Sequence, residues 1–247
     1  MCESCGANNI VHGPRLARRE ALSLAFGLAA SLVAPLGAFA DASDAAPPKP
    51  QNVVSPDEAL ARLLEGNARY VNGLAKRHDF VAEREALVGG QNPFAGILSC
   101  ADSRIAPELA FDTSRGDLFV CRVAGNFVNA DVLASFEYAV DVLKTPLILV
   151  LGHEGCGAVK AAIGSIESKQ TLSGHLPSLV EAIAPAVTAT AAAPGDRLDN
   201  ATRENVRRNV AALKTAAPTL AAAAEAGGIH VVGGIYRLAT GQVELIG

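Results

Sequence analysis

The sequence contains no tryptophan, a single methionine and only 4% aromatic residues, so it offers no stacked platform for nucleic-acid bases. It also lacks an excess of positive charge. Its 21 lysines and arginines stand against 25 aspartates and glutamates, a formal net charge of −4 that argues against a nucleic-acid binder. No apolar run reaches the roughly 20 residues that a membrane-spanning helix needs. Only 19% of residues are charged while 50% are hydrophobic, which excludes an intrinsically disordered chain. Five cysteines in 247 residues are too few, and odd in number, for a disulfide scaffold. Where those five lie is therefore informative.

Two of them, Cys2 and Cys5, precede a segment built like an address. Arg15, Arg18 and Arg19 are followed by an apolar run from Ala21 to Ala34 and then by Ala38-Phe39-Ala40. A basic start, a short apolar stretch and an A-x-A site form a secretory signal. The Arg18-Arg19 pair resembles the twin-arginine export signal, although Glu20-Ala21-Leu22-Ser23 after it matches only in part. Residues 1–40 are thus expected to be a cleaved export signal, with a periplasmic or secreted product and no stable membrane insertion afterwards. Cys2-x-x-Cys5 has no second pair to complete a metal site. Cleavage would leave Cys100, Cys121 and Cys156 in a chain of ordinary single-domain size.

Residues 41–54, rich in Ala, Pro and Asp, read as a flexible lead-in to one domain over 55–247. Ser55-Pro56-Asp57-Glu58 is a helix start with a capping box, and Leu60, Leu63, Leu64 and Ala68 predict an amphipathic helix over 56–75. Apolar strands are then predicted from Phe94 to Cys100, Asp117 to Val123 and Leu147 to Leu151, with a helix from Asp131 to Leu143. Helix is expected over 178–193, broken or kinked at Pro185, then a loop over 193–200 and a helix over 201–216. Strands at Ile229–Tyr236 and Gln242–Ile246 close the chain around Thr240-Gly241. Continuous apolar strands alternating with helices indicate an α/β fold with a central, mostly parallel sheet flanked by helices.

Two motifs fall at C-terminal ends of predicted strands, the edge where open α/β sheets bind ligands. They are Ser99-Cys100-Ala101-Asp102-Ser103-Arg104 and Gly152-His153-Glu154-Gly155-Cys156-Gly157. Cys100, His153 and Cys156 supply two thiolates and one imidazole, which is a tetrahedral zinc set with one position open. Asp102 lies two residues from Arg104, a spacing that suits a bidentate guanidinium–carboxylate pair. Cys121 alternates with apolar neighbours and reads as a core thiol. His78, His175 and His230 lack partners at ligand spacing, and Glu154 reads as an exposed loop carboxylate.

The C-x-D-S-R and H-x-x-C-G pair resembles the zinc signature of the beta-class carbonic anhydrases. Leu64-Glu65-Gly66-Asn67, Gly116-Asp117-Leu118-Phe119-Val120, Ala124-Gly125-Asn126 and Glu137-Tyr138-Ala139-Val140 also look like family sequence, so the likeness spans about Ser55 to Gly247. The resemblance implies reversible hydration of carbon dioxide to bicarbonate and a proton through zinc-bound hydroxide. It implies Zn2+ on Cys100, His153 and Cys156, and a catalytic dyad of Asp102 and Arg104. Asp102 can also close on the metal as a fourth ligand in this family. Gln91, Phe119, Tyr138 and Gly157 match substrate-pocket positions, some of them frequently supplied by the partner of a dimer. Homodimers or homotetramers are implied, with the N-terminal helix packing on a partner. The alternatives are a hydrolase of carbonyl sulfide or carbon disulfide on the same site, and a catalytically idle zinc-binding protein.

Overall fold

A computed structural model describes residues 54–169 and 172–247. The export-signal reading, Cys2, Cys5 and the lead-in up to residue 53 lie outside the described residues. The sheet is built from β1 (Ala95–Ser99), β2 (Leu118–Arg122), β3 (Leu147–His153), β4 (His230–Tyr236) and β5 (Val243–Ile246). Its order is β2-β1-β3-β4-β5, parallel throughout except for β5, which runs antiparallel to β4 at one edge.

The helices are α1 (Pro56–Val71), α2 (Phe80–Leu87), α3 (Pro107–Ala110), α4 (Ala130–Asp141), α5 (Gly157–Ser168), α6 (Leu176–Ala189), α7 (Arg197–Lys214) and α8 (Thr219–Glu225). Strands β1 and β3 are buried along their whole length. Their alternation divides two cores. Ile97, Leu147, Leu149 and Leu151 join the cluster that includes Ala59 and Leu63 of α1. Leu98, Ile148 and Val150 join the one that holds Phe136 of α4, Val206 and Leu213 of α7 and Leu220 of α8. A sheet covered on both faces has no polar side, hence the unbroken apolar runs.

The order places a switch point between β1 and β3. The chain leaves β1 toward β2 on one side and leaves β3 toward β4 on the other, so the loops after β1 and β3 diverge and open a crevice at the C-terminal edge. Both motifs lie in those loops.

Helix α1 is capped as expected, with the Ser55 hydroxyl accepting from the Glu58 N–H. It ends at Val71, before Gly73 turns with φ +69°. The helix lies on its own sheet. Buried Asn67 donates to the Ala110 and Gly241 carbonyls and accepts from the Val243 N–H. At Gly66 a Cβ would come within 1.8 Å of the Phe111 carbonyl oxygen, so only glycine lets the helix approach this closely.

Of the break or kink expected at Pro185, the break does not occur. Helix α6 starts at Leu176 and runs through Pro185 to Ala189, because Ile183, Ala186 and Val187 bury one continuous face. That packing offsets the single backbone hydrogen bond proline forgoes. Helix α7 starts four residues before the expected 201, where the Asp196 side chain accepts from the Asp199 N–H. Helices α2, α3, α5 and α8 carried no prediction. All but α5 are eight residues or fewer, too short to establish a periodic signal.

An ionic cluster fastens the antiparallel edge. Arg203 on α7 donates to both Glu244 oxygens of β5 at 3.0 and 2.9 Å, and Arg237 donates to Glu244 at 2.8 Å and to Asp199 at 2.8 Å. The two guanidinium groups pull the Glu244 pKa from 4.5 to about 2. A folded-state pKa below the unfolded one stabilises above about pH 4.5, and that contribution is lost as pH falls toward 2. Because the carboxylate is part-exposed, solvent screening limits the effect to about 0.5 kcal/mol. Glu244→Gln should therefore lower the urea-unfolding free energy by about that much at pH 7, with the gap shrinking below pH 4.5. An equal gap at pH 7 and pH 2.5 would contradict this account.

Candidate metal centre

Cys100 immediately follows β1, and His153 is the last residue of β3. Cys156 lies three residues on, at the N-cap of α5, with Gly155 at φ +64° making the turn between them. The two sulfurs are 4.0 Å apart, and the two sulfurs and an imidazole nitrogen all lie within 4.8 Å of one another. Two Zn–S bonds of about 2.3 Å at a tetrahedral angle put the sulfurs about 3.8 Å apart. Among the described residues this is the one such group of His, Cys, Asp and Glu donors. All three residues are buried.

The histidine geometry decides its tautomer. Its Nδ1 lies 3.0 Å from the Glu154 carbonyl oxygen, which only accepts, so Nδ1 carries the hydrogen. The Nε2 lone pair is then turned into the site, buried and without a hydrogen-bond partner. A backbone carbonyl behind a histidine ligand is the usual outer support of a metal-bound imidazole.

The electrostatics favour a cation. The Cys100 thiol is drawn well below its ordinary value, first by the hydrogen bond from the Cys156 thiol and then by His153 and the Gly125 N–H, which reaches its sulfur at 3.3 Å. Cys156 is pushed up in turn, since the first thiolate and burial both disfavour a second charge beside it. Burial disfavours an imidazolium at His153, but the neighbouring Cys100 thiolate outweighs it and raises the pKa. The site thus concentrates negative charge in a desolvated place, where protons and metal ions compete for the same lone pairs. The N–H groups of Ala158 and Val159 aim at the Cys156 sulfur from the first turn of α5, which supports its thiolate. The donor set, its spacing and the orphaned Nε2 fit zinc.

Asp102 stands beside the donors, with Oδ2 3.9 Å from His153 Nε2. Its Oδ1 accepts from the backbone N–H and Nε of Arg104 at 2.9 Å each, and its Oδ2 accepts from an Arg104 Nη2 at 2.8 Å. Arg104 Nη2 also reaches the Gly155 carbonyl at 3.3 Å, so one side chain links both loops. The Arg104 fork holds the Asp102 carboxyl far below the usual carboxylate range, against the opposing effect of burial.

Sequence reasoning missed two supports. Arg122, at the end of β2, donates to the Cys100, Asp102 and Ile105 carbonyls at 3.0, 2.7 and 2.9 Å. Gly125 gives its N–H to Cys100, while its carbonyl is held by Asn205 at 2.8 Å. A lone strand-end arginine and a backbone amide carry no spacing signal, so neither was legible.

The expected substrate residues divide. Gly157 adjoins Cys156. Phe119 pairs with Gly96 near the start of β1, four strand steps of about 3.3 Å from the level of Cys100. Tyr138 lies beside it, with ring centroids 6.3 Å apart, and is half exposed. Gln91 is exposed in the loop before β1, at the opposite end of the strand from Cys100. One chain therefore does not gather Gln91, Phe119 and Tyr138 at the donors. Cys121 is part-buried, with its thiol pKa raised by burial, as a core thiol should be. Glu154 is exposed, and its carboxylate accepts from the Leu238 N–H.

Three donors that could hold a metal ion, with an ionised carboxylate alongside, match the open pattern of catalytic centres, since structural sites are closed by four protein ligands. Comparison with known proteins gives the lineage. A family model described as carbonic anhydrase matches residues 95–243. The chain is 41% identical over 192 residues to a carbonic anhydrase of Mycolicibacterium smegmatis, covering 77% of this chain and 93% of that one. It is 39% identical to carbonic anhydrase 2 of Mycobacterium tuberculosis over the same shares. Among solved structures, the Coccomyxa beta-carbonic anhydrase is similar at 29% identity and TM-score 0.60, covering 76% and 86% of the two chains. One of two tetrameric beta-carbonic anhydrases from Sordaria macrospora is similar at 25% identity and TM-score 0.62, covering 77% and 98%. The chain belongs to the beta-class carbonic anhydrase family. Its reaction is the reversible hydration of carbon dioxide to bicarbonate and a proton.

Proposed function

We propose that Cys100, His153 and Cys156 hold a zinc ion at which carbon dioxide and bicarbonate interconvert, with Asp102 and Arg104 as the working dyad. The observation that carries this reading is the convergence of the two buried thiols and the orphaned His153 Nε2 at the switch point. When bound, zinc supplies Lewis acidity that brings the pKa of water from about 15.7 to about 7. The two thiolates offset the charge of the ion, and the Glu154 carbonyl fixes the imidazole that completes the set. Asp102 keeps one oxygen lone pair beyond those engaged by Arg104, which can accept a hydrogen bond from the attacking water and so turn that water's own lone pair toward substrate. Arg104 keeps the carboxylate ionised and in place. Gln91, Phe119 and Tyr138 complete the pocket from a second copy of the chain, a reading supported by their placement away from the donors of their own chain.

Stopped-flow hydration of carbon dioxide with metal analysis tests the proposal. The expected result is one zinc per chain, activity lost on chelation and regained with zinc. Activity that survives complete zinc removal would count against it.

A further inference from the structure

Helix α7 buries three polar side chains on one face, Thr202, Asn205 and Asn209, each less than a tenth exposed. A buried amide is costly unless its polar atoms are bonded, and asparagine is a poor helix former, so an apolar residue would serve packing better. The two asparagines instead engage the loop that follows β2. Asn205 Nδ2 donates to the Gly125 carbonyl at 2.8 Å, and Asn209 Oδ1 accepts from the Val128 N–H at 2.6 Å. Asn209 Nδ2 donates to the Asn205 carbonyl at 2.7 Å and meets Asn205 Oδ1 at 3.3 Å. This chain of bonds fixes both amides. The Val128 N–H only donates, so Asn209 turns its oxygen to Val128 and its nitrogen to Asn205, whose own nitrogen then faces Gly125.

We propose that Asn205 is a positioning residue of the metal centre, holding Gly125 where its N–H meets the Cys100 sulfur, and that Asn209 fixes the Asn205 amide for that task. The inference rests on the zinc reading of Cys100 given above and extends it from the donors to α7. Gly125 has φ +85°, and the bond from Asn205 to its carbonyl restrains the N–H that lies 3.3 Å from Cys100 Sγ. The residue must be glycine, because a Cβ there would come within 2.5 Å of Ile183 Cδ1, so the hold comes from outside it. Nor does the loop hold itself. The neighbouring Asn126 amide is buried and bonds no group among the described residues. An N–H on a ligand sulfur draws charge from it and fixes its direction, which shields it from the protons that compete with a metal ion.

The test uses the protein loaded with zinc or with cobalt, because a thiolate-to-cobalt charge-transfer band reports the charge on the sulfur. Asn205→Ala should move that band to lower energy and speed zinc release to a chelator about tenfold. Asn209→Ala keeps the group that bonds Gly125 but frees its amide to turn, and should shift both readouts the same way by less. Leu213→Ala is the control, since it lies in the sheet-face core about two turns further along the same helix. It should lower the melting temperature and leave the band and the release rate as in the wild type. An Asn205→Ala protein with wild-type band and release rate overturns the proposal. So does a Leu213→Ala protein that shifts both equally, which would trace the effect to the stability of α7. If Asn205→Ala does not fold, Asn209→Ala decides on the same two readouts. A wild type whose cobalt form has no thiolate band overturns the zinc reading of Cys100 as well.

Discussion

Exchange of Cys156 for alanine is expected to reduce carbon dioxide hydration by at least about 10³-fold and to leave the purified chain without stoichiometric zinc. The large effect follows from what is removed. Cys156 is fully buried, its sulfur is 4.0 Å from that of Cys100, and the first turn of α5 points amide hydrogens at it. With two donors left, a site that depends on three does not hold the ion against chelators, and the pKa lowering of water is lost with it. The fold should persist. Cys156 makes no side-chain capping bond, and it belongs to the smaller buried cluster with Val159, Ile183 and Val187 and not to those on the two sheet faces. The buried void costs about 1 kcal/mol, a small part of a domain's stability. Stopped-flow rates, zinc per chain and circular dichroism on one preparation settle the matter. Full activity with full zinc content would falsify the assignment of Cys156.

Arg104→Leu is expected to lower kcat by about 10²- to 10³-fold while zinc stays bound. The guanidinium contributes two of the three hydrogen bonds that hold Asp102, and only the backbone N–H of residue 104 remains without it. A carboxylate so released lies within a short rotation of the donors, its Oδ2 being 3.9 Å from His153 Nε2. It then competes for the position that water must occupy. Cobalt in place of zinc gives the readout that a merely structural defect would not move. Arg104→Leu should shift the visible spectrum of the cobalt enzyme, whereas Asp102→Asn should lose comparable activity without that shift. If Arg104→Leu and wild-type enzyme share one spectrum and one kcat, Arg104 has no part in orienting Asp102.

The parts of this molecule legible in the sequence share one property, which is that a local rule determined them. Ser55, Pro56 and Glu58 marked the start of α1, and the unbroken run before Cys100 marked a doubly covered strand. The grouping of Cys100, His153 and Cys156 was legible because chemistry restricts such donors to few residue types at strand ends. What escaped depended on contacts between distant segments. Helix α6 passes through Pro185 because its buried face packs, a fact that helix propensity does not contain. Arg122 serves the site through the carbonyls of residues 17 to 22 positions away, where neither residue type nor spacing announces the bond. The substrate-pocket matches Gln91, Phe119 and Tyr138 were placed by likeness, and sheet geometry then sets them at the far end of β1.

The order of the strands has a consequence for how the protein comes to life. Pairing β3 with β4 joins Leu147 to His230, and pairing β1 with β3 joins Gly96 to Ile148, so the sheet must close loops of many residues before any contact rewards it. Chains dominated by such separations fold slowly. The two thiols, 56 residues apart, meet only when β1 and β3 are already side by side. An ion arriving early finds only two of the three donors, His153 and Cys156, on one local stretch, too weak a grip to organise the rest. The sheet is therefore expected to form before the donor set is complete, and the rate at which active enzyme appears is expected to follow strand docking and not zinc concentration.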